Sequence, residues 1–123
     1  MPAARIDKRR GNVYNALIRS SRRLMIMIRH IVMFWLKDKN AAQVQETVDL
    51  LNSMKGKIPG MLSIDAGADV VGSPRSCDIC LCETFDTREA LEVYRTHPVH
   101  LPVQAHMHAV MERSASADYE VNA

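Results

Sequence analysis

No stretch of this chain approaches the eighteen or so consecutive apolar residues that a membrane span requires, so no membrane association is expected. The five glycines form no glycine-rich strand-to-helix loop, which argues against a phosphate or nucleotide cradle and leaves no cofactor expected. There is no Ser-His-Asp nucleophile elbow. The three cysteines are an odd number in a chain lacking an apolar signal segment, which points to reduced thiols and a cytoplasmic location. No C-x-x-C pair is repeated at zinc-finger spacing, and His106 and His108, two apart on a helix, diverge. On a strand Cys80 and Cys82 share a face that Cys77 opposes. No metal is therefore expected: the cysteines read as small core residues, His106 and His108 as exposed helix positions, and the eight methionines as core filler.

What remains is an ordinary soluble composition, 47% apolar over 123 residues, enough for one domain with one core. The formal charge of +2 hides an asymmetry. Residues 1–24 hold seven basic residues and one acid, giving +6, while the other nine basic and thirteen acidic residues give −4. The patterned part is thus mildly acidic and offers no nucleic-acid surface. Residues 1–26 read as a basic extension outside the core fold and 27–123 as the domain. The extension is taken as a tail added by an upstream start, with a targeting peptide or a basic arm as alternatives.

From Ile28 to Leu36 the chain is nearly continuous in β-branched, aromatic and apolar residues, a strand that needs cover on both faces. Val44, Val48, Leu51 and Met54 then mark one helix face ending near Gly56. Met61–Val71 and Cys77–Phe85 read as two strands of a hairpin, and Asp86 with Glu89 has the form of a capping box before a second helix. His97-Pro98 interrupts that helix, a further helical stretch runs to about Arg113, and Pro102 predicts a kink or restart. A last strand is expected over Ala117–Val121. The order is βαββαβ, an α+β ferredoxin-like domain with both helices on one face of a four-stranded antiparallel sheet. The other face is expected to be covered by a second copy, giving a homodimer.

His30 shares a strand face with Val32 and Phe34 and needs a polar partner or cavity water. Trp35 is expected on the opposite face, against the helices. Tyr94 and His100 flank the His-Pro break, which can turn both toward one point, where an imidazole can accept a proton and a phenol can hydrogen-bond a carbonyl. The bland alternatives are a satisfied structural His30, and His97 or His100 capping a broken helix.

Several segments resemble the stress-responsive A/B barrel (Dabb) family: Ile28-Arg29-His30-Ile31-Val32-Met33-Phe34, Ile58-Pro59-Gly60-Met61, Cys77-Asp78-Ile79-Cys80-Leu81 before Phe85, Asp118-Tyr119-Glu120, and above all Tyr94-Arg95-Thr96-His97-Pro98-Val99-His100. The resemblance implies a dimeric α/β barrel, two sheets facing one another around an interior that holds a small hydrophobic or carbonyl-containing ligand. It also implies site residues. A plant member of the family closes a polyketide by aldol chemistry, and its catalytic tyrosine and histidine match Tyr94 and His100, with His30 matching a pocket histidine. A second pocket histidine of that enzyme is replaced by Ile79. The expected ligand-binding set is His30, Val32, Phe34 and His97, with Tyr94 and His100 as an acid-base pair in the enzymatic alternative. A purely structural dimer with a filled barrel is the third reading.

Overall fold

The computed structural model describes residues 26–122, so the expectation of a basic extension falls almost wholly outside the described residues. The elements are β1 (Ile26–Leu36), α1 (Ala41–Asn52), β2 (Met61–Ala68), β3 (Ile79–Phe85), α2 (Arg88–Arg95), α3 (His100–Val110) and β4 (Met111–Asn122). The sheet runs β2-β3-β1-β4, with every neighbour antiparallel. This is the expected ferredoxin-like βαββαβ order with its second helix broken in two.

Local chemistry sets the boundaries. Asn40 caps α1 by accepting the Gln43 amide at 2.8 Å. At the other end, Asn52 hydrogen-bonds both the amide and the carbonyl of Ala66 at 3.0 Å, standing in for a neighbouring strand along the β2 edge. The β2–β3 strands are shorter than expected: Asp69 turns the chain just after β2, and Asp78, just before β3, ties to the end of β1. Asp69 accepts from Val71 and Gly72, and Asp78 accepts the Leu36 amide at 2.7 Å. The cap of α2 is Thr87, whose hydroxyl accepts the Ala90 amide at 3.0 Å; the third helical position is then Ala90, so the capping box expected from Asp86 and Glu89 does not form. Pro102 is the third residue of α3, where its missing N–H has no intrahelical role to fill, so the helix restarts rather than kinks.

β4 differs most from expectation. It begins directly after α3 and pairs with β1 over its whole length, with Glu112 the extra residue of a bulge opposite Trp35 and Leu36. Ser114-Ala115-Ser116-Ala117 has little strand preference of its own, and the exposed ladder of β1 imposes it.

Register assigns the faces. Ile28, His30, Val32, Phe34 and Leu36 of β1 point to the helices, together with Ile79, Leu81, Glu83 and Phe85 of β3. Leu36, Leu51, Met54, Ile79 and Phe85 are fully buried between the layers. Each such side chain contributes about 1.5–3 kcal/mol through removal from water. The bare face carries Ile31, Met33 and Trp35 of β1, Cys80 and Cys82 of β3, and Tyr119 of β4, with Met33 and Tyr119 exposed. Trp35 therefore does lie opposite His30, but away from the helices: its ring is covered by the Arg113 guanidinium at 3.6 Å, and its N–H donates to the Ser76 carbonyl. The reversal follows from a strand apolar in both phases, which leaves the choice of face to the helices.

Candidate functional site

A pocket of about 380 Å³ lies between the sheet and the two segments of the broken helix. Its floor is Val32 and Phe34 of β1 with Leu81 of β3, and its walls are Leu91, Val103 and Met107. Gln104 and His108 from α3 and Ser114 and Ser116 from β4 add polar groups to the lining. His30, Tyr94 and His100 all line it, from β1, α2 and α3 respectively. Of the expected ligand set, His30, Val32 and Phe34 line this one pocket, whereas His97 does not join them. Its Nδ1 accepts the Val99 amide at 3.0 Å, and its carbonyl accepts from His100 and Leu101, so it builds the turn that restarts the helix. The location also corrects the sequence-based picture. The pocket lies within one subunit, between the sheet and its own helices and not between two facing sheets, because His30 is on the helix-covered phase of β1.

The break places Tyr94 and His100 ring against ring, with centroids 4.1 Å apart and planes 32° from parallel. Phe85 supports the phenol from below at 5.2 Å, and His30 meets it edge-on at 6.4 Å. His100 Nδ1 is 3.1 Å from the Arg95 carbonyl, which only accepts, so Nδ1 carries the hydrogen and Nε2 keeps the lone pair in the neutral ring. Burial lowers the pKa of His100, opposed by the Arg95 carbonyl and reinforced by His30, so the ring is neutral at pH 7 and able to accept a proton. Tyr94 is the reverse case. Burial, and then the Glu83 carboxylate, raise the phenol well above its ordinary range, making it a donor that does not ionise. Among the described residues its hydroxyl hydrogen-bonds only Met54 Sδ, weakly at 3.9 Å.

Two acids behind this wall were not singled out from the sequence. Asp118 Oδ1 is 2.5 Å from His30 Nδ1, and Glu83 Oε1 is 3.9 Å from His30 Nε2. Glu83 is fully buried, and neither of its oxygens has a hydrogen-bond partner among the described residues. Burial pushes its carboxyl up to about 7; the Tyr94 hydroxyl opposes this without reaching hydrogen-bonding geometry, and Asp118 adds to it. The signal in the sequence is the alternation Ile79, Leu81, Glu83, Phe85, which puts one acid in the core phase of a strand. His106 is likewise less exposed than expected, its Nε2 lying 3.0 Å from the hydroxyl of buried Thr47 on α1. Among the described residues no three His, Cys, Asp or Glu side chains gather as a metal-ligand set. Nor is any helix there long and apolar enough to cross a membrane.

The stress responsive A/B barrel domain model matches residues 28–121. The chain belongs to that family. Solved structures agree on this Dabb fold. A dimeric ferredoxin-like protein of unknown function from Bacteroides fragilis is 25% identical, with TM-score 0.68, over 77% of this chain and 96% of its own. A Dabb family protein from Mesorhizobium loti is 23% identical, with TM-score 0.66, over 76% and 95%. A hydroxynitrile lyase from Passiflora edulis is 17% identical, with TM-score 0.68, over 78% and 94%. No curated protein matches this Dabb chain.

Proposed function

We propose that this Dabb protein binds a small, mostly apolar, carbonyl-bearing molecule in a pocket inside each subunit of a cytoplasmic homodimer. The observation that carries the reading is the pocket itself: about 380 Å³ with an apolar floor and with His30, Tyr94 and His100 in its lining, side chains of the kind that hold a carbonyl or hydroxyl. A volume of this size supports binding over a side-chain-filled interior. The homodimer is supported by the bare sheet face, on which Met33 and Tyr119 stay exposed beside Ile31 and Trp35, and by relatives described as dimeric. Three free cysteines fit a reducing compartment.

A second, enzymatic reading has one specific support. The His100 tautomer leaves Nε2 as the free basic nitrogen beside a phenol that stays protonated, a base and a hydrogen-bond donor in contact. Such a pair removes a proton next to one carbonyl while the other group holds a carbonyl oxygen.

Calorimetric titration with a panel of aryl ketones and β-diketones tests the binding reading, alongside Ser116→Trp, which fills the pocket mouth from the edge strand. Binding by wild type and its loss in the variant are expected. If no compound binds, or the variant binds equally well, the pocket is not the site. Turnover of a bound compound, abolished by both His100→Ala and Tyr94→Phe, would establish the second reading.

A further inference from the structure

One rung of the sheet carries Ile64 on β2, Glu83 on β3, His30 on β1 and Asp118 on β4, all in the helix-facing phase. Three of the four are titratable, and their surroundings differ sharply. Asp118, at the outer end, is 37% exposed and bonded to His30 Nδ1. Glu83, at the inner end, is fully buried with both oxygens unpartnered among the described residues and 3.9 Å from His30 Nε2. A buried carboxylate without a partner is among the costliest groups a fold can hold, and a proton removes most of that cost.

We propose that Glu83 and His30 hold one exchangeable proton between them, making Glu83 a positioning residue that sets whether the pocket presents a donor or an acceptor at His30. In one arrangement Glu83 is the neutral acid, and His30 is a neutral ring donating Nδ1–H to Asp118 with its lone pair on Nε2. In the other, the Glu83 O–H bond has broken and an Nε2–H bond has formed, leaving an imidazolium between two carboxylates. The net charge of the three groups is −1 in both, so the exchange needs no proton from outside. The present gap exceeds an N–H···O bond by roughly 1 Å, a distance closed by a small side-chain shift or one bridging water.

The surroundings support an acid poised near neutrality. Burial raises Glu83 to about 7, with the Tyr94 hydroxyl of α2 opposing and Asp118 of β4 reinforcing. Its β2 neighbour is Ile64 and α1 packs Leu51 into the same core, while His100 of α3 faces His30 and Tyr94 rather than the acid. A carbonyl in the pocket favours the arrangement with Nε2–H, and a hydroxyl favours the lone pair. This link to ligand rests on the carbonyl-site reading above, whereas the shared proton does not.

The two parts are separable by experiment. In the ligand-free protein, NMR of the Glu83 carboxyl carbon and the His30 ring nitrogens should show a common midpoint. The isosteric Glu83→Gln should displace the His30 midpoint. Asp118→Asn should change the His30 tautomer while the Glu83 carbon still titrates. A Glu83 carbon titrating in the ordinary carboxylate range, or a His30 midpoint unmoved in Glu83→Gln, overturns the shared proton. With acetophenone as probe, wild-type affinity should fall about tenfold above the Glu83 midpoint, the worth of one hydrogen bond, and in Glu83→Gln that fall should move with the displaced His30 midpoint. Identical pH profiles in the two proteins overturn the link to the pocket. Failure of acetophenone to bind at any pH counts against the carbonyl reading and leaves the carboxyl titration to decide the proton.

Discussion

The rings of Tyr94 and His100, six residues apart in sequence, lie 4.1 Å apart in space because two helices meet there rather than one continuing. In an unbroken helix, residues six apart point to different sides. The His97-Pro98 break makes the contact, with the His97 carbonyl serving as first acceptor of the new helix. The phenol ring is the shared wall between the aromatic core at Phe85 and the pocket at His100.

That position separates the two roles of Tyr94. Tyr94→Phe keeps the ring and loses only a hydroxyl held by one weak contact to Met54, so urea unfolding should show a change within about 1 kcal/mol. Tyr94→Ala opens a cavity in the core and should cost about 3–5 kcal/mol. Equal costs for the two would mean that the hydroxyl, not the ring, stabilises the fold.

Glu83 links stability to pH. Its carboxyl ordinarily titrates at 4.5 and is raised to about 7 in the fold, so as pH climbs the unfolded chain ionises first and the folded state last. The stability associated with the neutral acid is present below 4.5 and is lost as pH rises through about 7. The loss is on the order of 3 kcal/mol for a shift of this size. Denaturation midpoints should therefore fall across that window in wild type and much less in Glu83→Gln; parallel curves would show that Glu83 titrates normally.

Gly60 has little tolerance for a side chain. Its φ is +77°, and a Cβ there would come 2.6 Å from the Ala90 Cβ and 2.8 Å from Asp86 Oδ1, where the β2 entry packs on the start of α2. Gly60→Ala should destabilise by roughly 2 kcal/mol or more, combining backbone strain with overpacking. Gly56, also at positive φ but with nothing within 4 Å, should lose only the backbone part on the same substitution. Thermal unfolding of the pair checks the difference.

The homodimer has its own test. Met33→Glu puts a charge into the apolar face through which two copies are proposed to meet. Light scattering after size exclusion should report half the wild-type mass, with unchanged far-ultraviolet dichroism because Met33 is outside the core. A wild-type protein already at monomer mass at micromolar concentration would remove the dimer altogether.

Much of this was legible in the chain. Helical periodicity at Val44, Val48, Leu51 and Met54, punctuation at Pro59-Gly60 and the His-Pro break give the element order, because spacing and turn chemistry are local properties. Side-chain parity on β1 also groups His30 with Val32 and Phe34 without knowledge of the rest. Local signals stop there. Ile28–Leu36 is apolar in both phases, so no property of that segment says which phase meets the helices, and the pocket was expected on the wrong side of the sheet. Ser114–Ala117 carries no strand preference and becomes β4 only because β1 offers it a ladder.

The sequence by itself determined the order of elements, the family and the residue types available for chemistry, since each depends on neighbours a few positions away. Tertiary structure alone decided that Glu83, His30 and Asp118 share a rung, that His97 serves the helix turn and not the pocket, and that the pocket opens within one subunit. Those outcomes depend on strand register and on which sheet face the helices cover, relationships between segments up to 88 residues apart that no local pattern encodes.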